Sequence, residues 1–274
     1  MDDMRRILGD RVRAMVGSGT MDLSRPDGDT GLFAPDSVAW KVHGDFTAMM
    51  VGGVAALLLQ MLHPGALAGV WDHSDFRRDM SGRLRRTATF IAATTYGSTA
   101  TAEAMIAKVR QIHDRVSGTL PNGTPYSAND ADLLLWVHAA ETWCFLAAYR
   151  RYRARRMTIA EQDRYIAEVA IVAERLGATD VPRTRAALDA YLRRMRPHLR
   201  YDARTAAVAA ALLRQRPATP AMAPMQAMLM EGGFDLLPDW ARALHGLNRP
   251  ALARPAVRIG VQGVGRVLRW ALKP

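Results

Sequence analysis

Residues 47–62 read TAMMVGGVAALLLQML: sixteen residues without a charge, holding two adjacent glycines and one glutamine and ending at His63-Pro64. A helix over this stretch is apolar on nearly every side, and such helices lie in the middle of a domain rather than on its surface. A membrane-spanning helix needs about 20 residues, so a buried core helix is expected. A second stretch of the same kind, ADLLLWVHAAETWCFLAAY, runs from 131 to 149. It carries His138, Glu141 and Thr142, polar groups that must find partners in the interior. Glu141, one turn on from His138, is its expected partner.

Around these two segments the pattern stays helical. Useful lengths of alternating strand pattern are absent, and the one Asn-Gly, at 122, falls in a loop. Helices are expected over 2–16, 36–43, 46–62, 83–97, 99–117, 128–152, 158–175, 182–195, 202–214, 219–231, 237–245 and 250–272. Polar loops at 17–31, 117–130 and 216–224 separate them, and the SAND of 127–130 offers a helix N-cap. No linker flanked by a change in composition and no internal repeat divides the chain. The fold expected is all-α, a single multi-helix domain.

Composition bounds the function. Apolar residues make up 49% and charged residues 23% of 274, as in an ordinary soluble globular chain. The lone Cys144 can form no internal disulfide and excludes a cysteine zinc site. Its reduced state suits a cytoplasmic setting. The amino end has no apolar core followed by a cleavage site, so no signal peptide is expected. A net charge of +11 suggests an anionic partner. The surplus is mostly arginine, spread along the chain, with no nucleic-acid-binding signature beside it. No nucleic acid is expected as a partner.

Histidines carry the chemical information, since there are seven. His113 lies in AEAMIAKVRQIHDRVSG, beside an apolar stripe of Met105, Val109, Ile112 and Val116 at helical spacing. A histidine there is either a hydrogen-bonded core residue or a metal or haem ligand in a dry pocket. His138 poses the same alternative, and His63-Pro64 reads as helix termination. His43, His73, His198 and His245 stand in more polar contexts and receive no role. HExxH, Glu-x-x-His, HxxxH and HxH are all missing, and so are a GxSxG elbow and a Walker A loop. GVQGVG at 260–265 is a lone glycine pattern in a basic segment.

One arginine cluster stands out in SGRLRRTATFIAATTYG, 81–97. Arg83, Arg86 and Thr87 share a helix face. Isolated histidines on buried helices together with guanidinium groups suit a haem: one axial imidazole, an apolar slot and cations for two propionates.

The segments WKVHGDFTAMMVGGVAALLLQMLHPGALAGVWDHSDF, GRLRRTATFI, VRQIHDRVSG, YSANDADLLLWVHAAET and LPDWARALHGL, taken in order, resemble the MpaB and rubber oxygenase family, which includes latex clearing proteins. The resemblance covers about 36–248. It makes 1–35 an N-terminal helix and polar loop, 36–248 the catalytic domain, and 249–274 a basic amphipathic C-terminal segment. It implies an all-helical fold whose buried central helices form a pocket for one haem b.

The family's VR-x-x-H helix falls on Val109, Arg110 and His113, making His113 the implied iron ligand. Its R-x-x-[KR]-T motif falls on Arg83, Arg86 and Thr87. His138 is the second candidate, as ligand or as a polar group over the haem. Where the rubber-cleaving branch has a lysine able to reach iron, this chain has Arg86, which stays protonated and cannot coordinate. That branch also has a glutamate upstream of the arginine motif, whereas no glutamate precedes Glu103 here. Asp72, Asp75 or Asp79 would have to substitute, with Asp72 the expected catalytic carboxylate beside Arg83 and Thr87.

These departures point away from polyisoprene. The resemblance implies instead a haem-dependent oxygenase using O2 or a peroxide on a hydrophobic small molecule, an isoprenoid or a lipid. The alternative is a non-catalytic haem or lipid carrier that retains the fold. The C-terminal segment is expected to pack on the domain, with peripheral membrane contact as its other use.

Overall fold

The computed structural model describes residues 22–215, 217, 219–246 and 253–272. The helix expected over 2–16 lies outside the described residues. In chain order the helices are α1 (Val38–His43), α2 (Phe46–Gln60), α3 (Pro64–His73), α4 (Met80–Tyr96), α5 (Thr99–His113) and α6 (Ala131–Tyr152). They continue as α7 (Ile159–Leu176), α8 (Arg185–Met195), α9 (Ala203–Leu213), α10 (Ala223–Leu236), α11 (Asp239–Leu244) and α12 (Ala253–Ala271). Two short 3-10 turns, Arg196–His198 and Pro220–Met222, complete the helical part. The all-α fold expected from the sequence is the fold observed. The strands described are the three-residue β1 (Ser117–Thr119) and β2 (Pro125–Ser127).

The two apolar segments form the centre as α2 and α6, packed along their lengths. Asp45 caps α2 through the Ala48 N–H at 2.9 Å, and its other oxygen lies 3.1 Å from Arg269. The glutamine that interrupts α2 finds its partners on α6. Gln60 donates to the Val137 carbonyl at 3.0 Å, and Trp136 donates its indole N–H to the Gln60 carbonyl at 3.2 Å. Gly52 lets the helices approach: a Cβ there would stand 2.7 Å from Phe145 Cδ1 and 3.2 Å from the Cys144 carbonyl oxygen. On its other side α2 meets α10 and α12, while α7 packs on α6, α1 and α5. One core cluster joins these elements, from Phe33 to Val261.

α12 is amphipathic, burying Val261, Gly265, Leu268 and Ala271. Arg254 and Arg258 converge with Arg151 on the buried Asp235, at 2.6, 2.9 and 3.1 Å. The segment thus packs on the domain, as expected, while Ile259 and Trp270 stay 70% and 39% exposed on its outer face.

Three local readings are corrected. Pro64 ends α2 less than it begins α3, where it occupies the first turn behind the cap His63. α2 and α3 meet at 103°, and no single described helix is long and apolar enough to cross a membrane. The loop at 117–130 folds partly as a hairpin, pairing Ser117 with Ser127 and Thr119 with Pro125. Asn122-Gly123 is its turn, with Gly123 at φ +84°. Asp130 does precede α6, but its carboxylate takes the Ser127 N–H at 2.8 Å and makes no cap bond to the helix.

Candidate functional site

α4 is an odd helix. Met80 and Gly82 are buried at its start and Ala93, Thr94 and Thr95 at its end. Between them, from Arg83 to Ala92, no residue on any face is buried. Its partner α5 buries Ala102 and Ile106 alone. The stripe expected inward is not: Met105 and Val109 are half-buried without packing on the core cluster, and Ile112 is 52% exposed. Leu84 and Ile91 of α4 pack on the core cluster, whereas the Met105, Val109 and Ile112 stripe of α5 does not, which leaves that face of the pair half-open.

The facing wall belongs to α2 and α6. Phe46, Met49, Met50, Gly53 and Leu57, one stripe at helical spacing, are the half-open residues of α2, whose other faces are buried. A Cβ on Gly53 would meet Phe145 Cε1 at 3.9 Å and nothing nearer. Phe145 lies four residues beyond Glu141 and seven beyond His138, so the three share one face of α6. His138 and Glu141 are likewise half-open. Leu57 of α2 and Arg83 of α4 line a common hollow with Met61, Met80 and Val208, which joins the walls at one end. We take the half-open residues of α2 and α6, with the α4–α5 pair beyond the hollow, as the lining of a candidate cleft.

Arg83 stands at the head of the cleft. Burial, and next the charge of Arg86, lowers its pKa to about 10, yet its guanidinium has no hydrogen bond or ion pair to a described residue. A desolvated cation without a counter-charge is costly. The other motif residues turn outward. Arg86 is exposed, 3.6 Å from Asp79, the cap of α4. Thr87 is exposed as well, its hydroxyl donating to the Arg83 carbonyl at 3.3 Å.

His113 ends α5, half-buried, with Nδ1 enclosed and without a hydrogen-bond partner. Burial lowers its pKa; the Asn129 side chain and the Asp114 charge work against this. Asn129 is itself fixed by donating to Asp114 at 2.7 Å. His138 is held neutral by burial, its pKa lowered to about 4. Its Nε2 lies 3.2 Å from the Thr142 hydroxyl, so Thr142 is the partner rather than the expected Glu141. Burial pushes the Glu141 carboxyl up to about 7.

Asp72 lies elsewhere. It is exposed at the end of α3 and accepts a 2.7 Å hydrogen bond from Tyr126 of the hairpin. His73 supports the same joint, with Nε2 3.1 Å from the Ser117 carbonyl. No described contact joins Asp72 to Arg83 or Thr87.

Sequence reasoning passed over His43. It is half-open on α1, with Nδ1 2.8 Å from Thr95 Oγ1 and Nε2 3.1 Å from the Tyr165 hydroxyl. Burial takes its pKa down to about 3. The partners come from α4 and α7, 52 and 122 residues away, and no local motif announces them.

Among the described residues no three His, Cys, Asp or Glu side chains converge as a chelating group. What the cleft offers a cofactor is single imidazoles, one deep guanidinium and apolar walls. The molecule is thus a helical bundle with a candidate apolar cleft and a guanidinium at one end of it. The family described as ER-bound oxygenase mpaB/B'/Rubber oxygenase, catalytic domain, matches residues 40–270, and the chain belongs to that family. It therefore carries an oxygenase-type catalytic domain. No curated protein and no solved structure matches the chain.

Proposed function

We propose that this protein is a haem b-dependent oxygenase acting on a hydrophobic small molecule, of isoprenoid or lipid class, with O2 or a peroxide as oxidant. The observation that carries the reading is Arg83, a half-buried guanidinium with no described carboxylate beside it, set in a hollow with Leu57, Met61 and Met80 at the end of the half-open stripe of α2. A haem meets each of these features with one molecule: an apolar disc for the stripes, a propionate for the cation and a ligand position for a neutral imidazole. When bound, the cofactor would supply redox iron for oxygen transfer.

The chain's own residues do the rest. Arg83 would pair with a propionate through two parallel N–H donors. His113, kept neutral by burial, offers a lone pair rather than a charge and is the proposed iron ligand. Arg86 and Thr87, one turn away and exposed, would meet the polar edge. Arg86 stays protonated and cannot itself ligate iron. His138, neutral and held by Thr142, faces the cleft from the other wall. Met49, Met50 and Leu57 keep that wall apolar and exclude water. Asp72, tied to Tyr126, is left out of this assignment.

The test is an absorption spectrum of protein purified from haem-supplemented cells, alongside His113→Ala and His138→Ala. A Soret band lost in His113→Ala and kept in His138→Ala is expected. A folded wild-type protein with no Soret band, even after reconstitution, overturns the haem reading.

A further inference from the structure

The α6 wall of the cleft is not uniformly apolar, and its polar groups differ in one respect. His138 is held by Thr142 at 3.2 Å. Tyr165, which packs on His43, is held by it at 3.1 Å, and His43 is held in turn by Thr95 at 2.8 Å. Glu141 sits among these groups, near enough to Tyr165 and the buried Cys144 for its charge to raise the pKa of both. It has no hydrogen bond and no ion pair to a described residue. It is not closed over, because the residue keeps some surface, and its position on α6 puts it on one face with His138 and with Phe145, which lies beside Gly53.

A desolvated carboxyl without a partner costs free energy that a well-placed ligand group recovers. Apolar walls around it admit an apolar body; the carboxyl asks for one hydrogen-bonding group on that body. Because burial raises the carboxyl to about 7, it offers both a donor and an acceptor near neutral pH. A hydroxyl answers both. Sites of this design discriminate strongly against the analogue that lacks the polar group, since the protein's own group is then left unpaired.

We infer that Glu141 determines specificity in the cleft by hydrogen bonding to a hydroxyl on an otherwise apolar ligand, which makes a long-chain alcohol the ligand class. This rests on the reading of the cleft as an apolar small-molecule site.

The experiment compares 1-decanol with n-decane, their binding to the full-length protein followed by tryptophan fluorescence. The wild type is expected to bind the alcohol at least about tenfold more tightly. Glu141→Leu is expected to lose most of that preference while binding the alkane at least as well; Glu141→Gln, which keeps a donor and an acceptor, retains part of it. In the wild type, the carboxyl infrared band of Glu141, assigned by its absence in Glu141→Gln, shifts on adding 1-decanol and stays in place with n-decane. An unchanged preference in Glu141→Leu, or a band indifferent to the alcohol, overturns the inference and leaves the cleft reading intact. Binding of neither probe by the wild type overturns both.

Discussion

The two sides of α2 obey opposite rules. Toward α6, the helix is closed: Gly52 touches backbone, Gln60 and Trp136 satisfy each other's carbonyl and side chain, and Trp136 has no exposed surface. One face further round, Gly53 and the stripe from Met49 to Leu57 stay half-open, and on α5 Met105 and Val109 pack on no part of the core cluster. Both sides are equally apolar in sequence. The difference lies in whether the opposing polar groups are paired. Gln60 and Trp136 are, whereas Arg83 and Glu141 have no hydrogen bond or ion pair to a described residue. A desolvated ionisable group without a partner is costly, so these two mark where a ligand group would recover free energy.

The contrast breaks first under truncation. Trp136→Ala is expected to cost about 3–5 kcal/mol of stability, while Met105→Ala on the open stripe costs under about 1 kcal/mol, both read from urea denaturation without ligand. Equal costs would mean that Met105 packs on the core after all.

Adjacent glycines sharpen it. Gly52→Ala drives a methyl into Phe145 and should cost about 1–3 kcal/mol. Gly53→Ala meets open space and should stabilise the helix by up to about 1 kcal/mol. Opposite shifts in Tm for neighbouring positions would confirm that the two faces differ.

Titration separates the walls next. Glu141 holds its proton more tightly folded, at about 7 against 4.5, so stability falls as pH rises from about 4.5 to about 7 and is flat beyond. His43 and His138 act in reverse. Their pKa values drop to about 3 and about 4, so their contribution is complete above 6.5 and is lost on acidification below it. Glu141→Gln keeps only the histidine slope, and its stability relative to wild type should rise by about 2–3 kcal/mol between pH 5 and pH 8. A constant difference in Tm across that range would show that Glu141 titrates normally.

The smallest effect concerns the outer face of α12. Ile259→Ser with Trp270→Ser should leave Tm within about 2 °C, since surface changes alter stability by under about 0.5 kcal/mol. It should weaken binding to vesicles of anionic phospholipid severalfold if this face meets membranes carrying the substrate. Unchanged vesicle binding would remove the helix from that role.

How much of this the sequence showed follows the range of the interactions. α2 and α6 were legible because hydrophobicity all round a helix depends on that helix alone. α3 was missed because Pro64 reads as an ending until the chain is seen to turn and start again. His138 was assigned the wrong neighbour: Glu141 and Thr142 both lie one turn on, and it is Thr142, four residues away, whose hydroxyl meets its Nε2. The arginine motif was legible as a face, but α4 sends Arg83 inward and leaves Arg86 with Asp79. Asp72 went to the hairpin through Tyr126, 54 residues away. The His43–Tyr165 link spans 122 residues and leaves no local trace.

The central claim is that the open stripe of α2 faces a cofactor. Gly53→Leu tests it most directly, because the side chain would project from a stable helix into the cleft. Haem titration followed at the Soret band, with Tm measured in parallel, should show a lost or strongly weakened band and an unchanged melting temperature. A normal Soret band in folded Gly53→Leu protein would contradict the account and place the cofactor elsewhere.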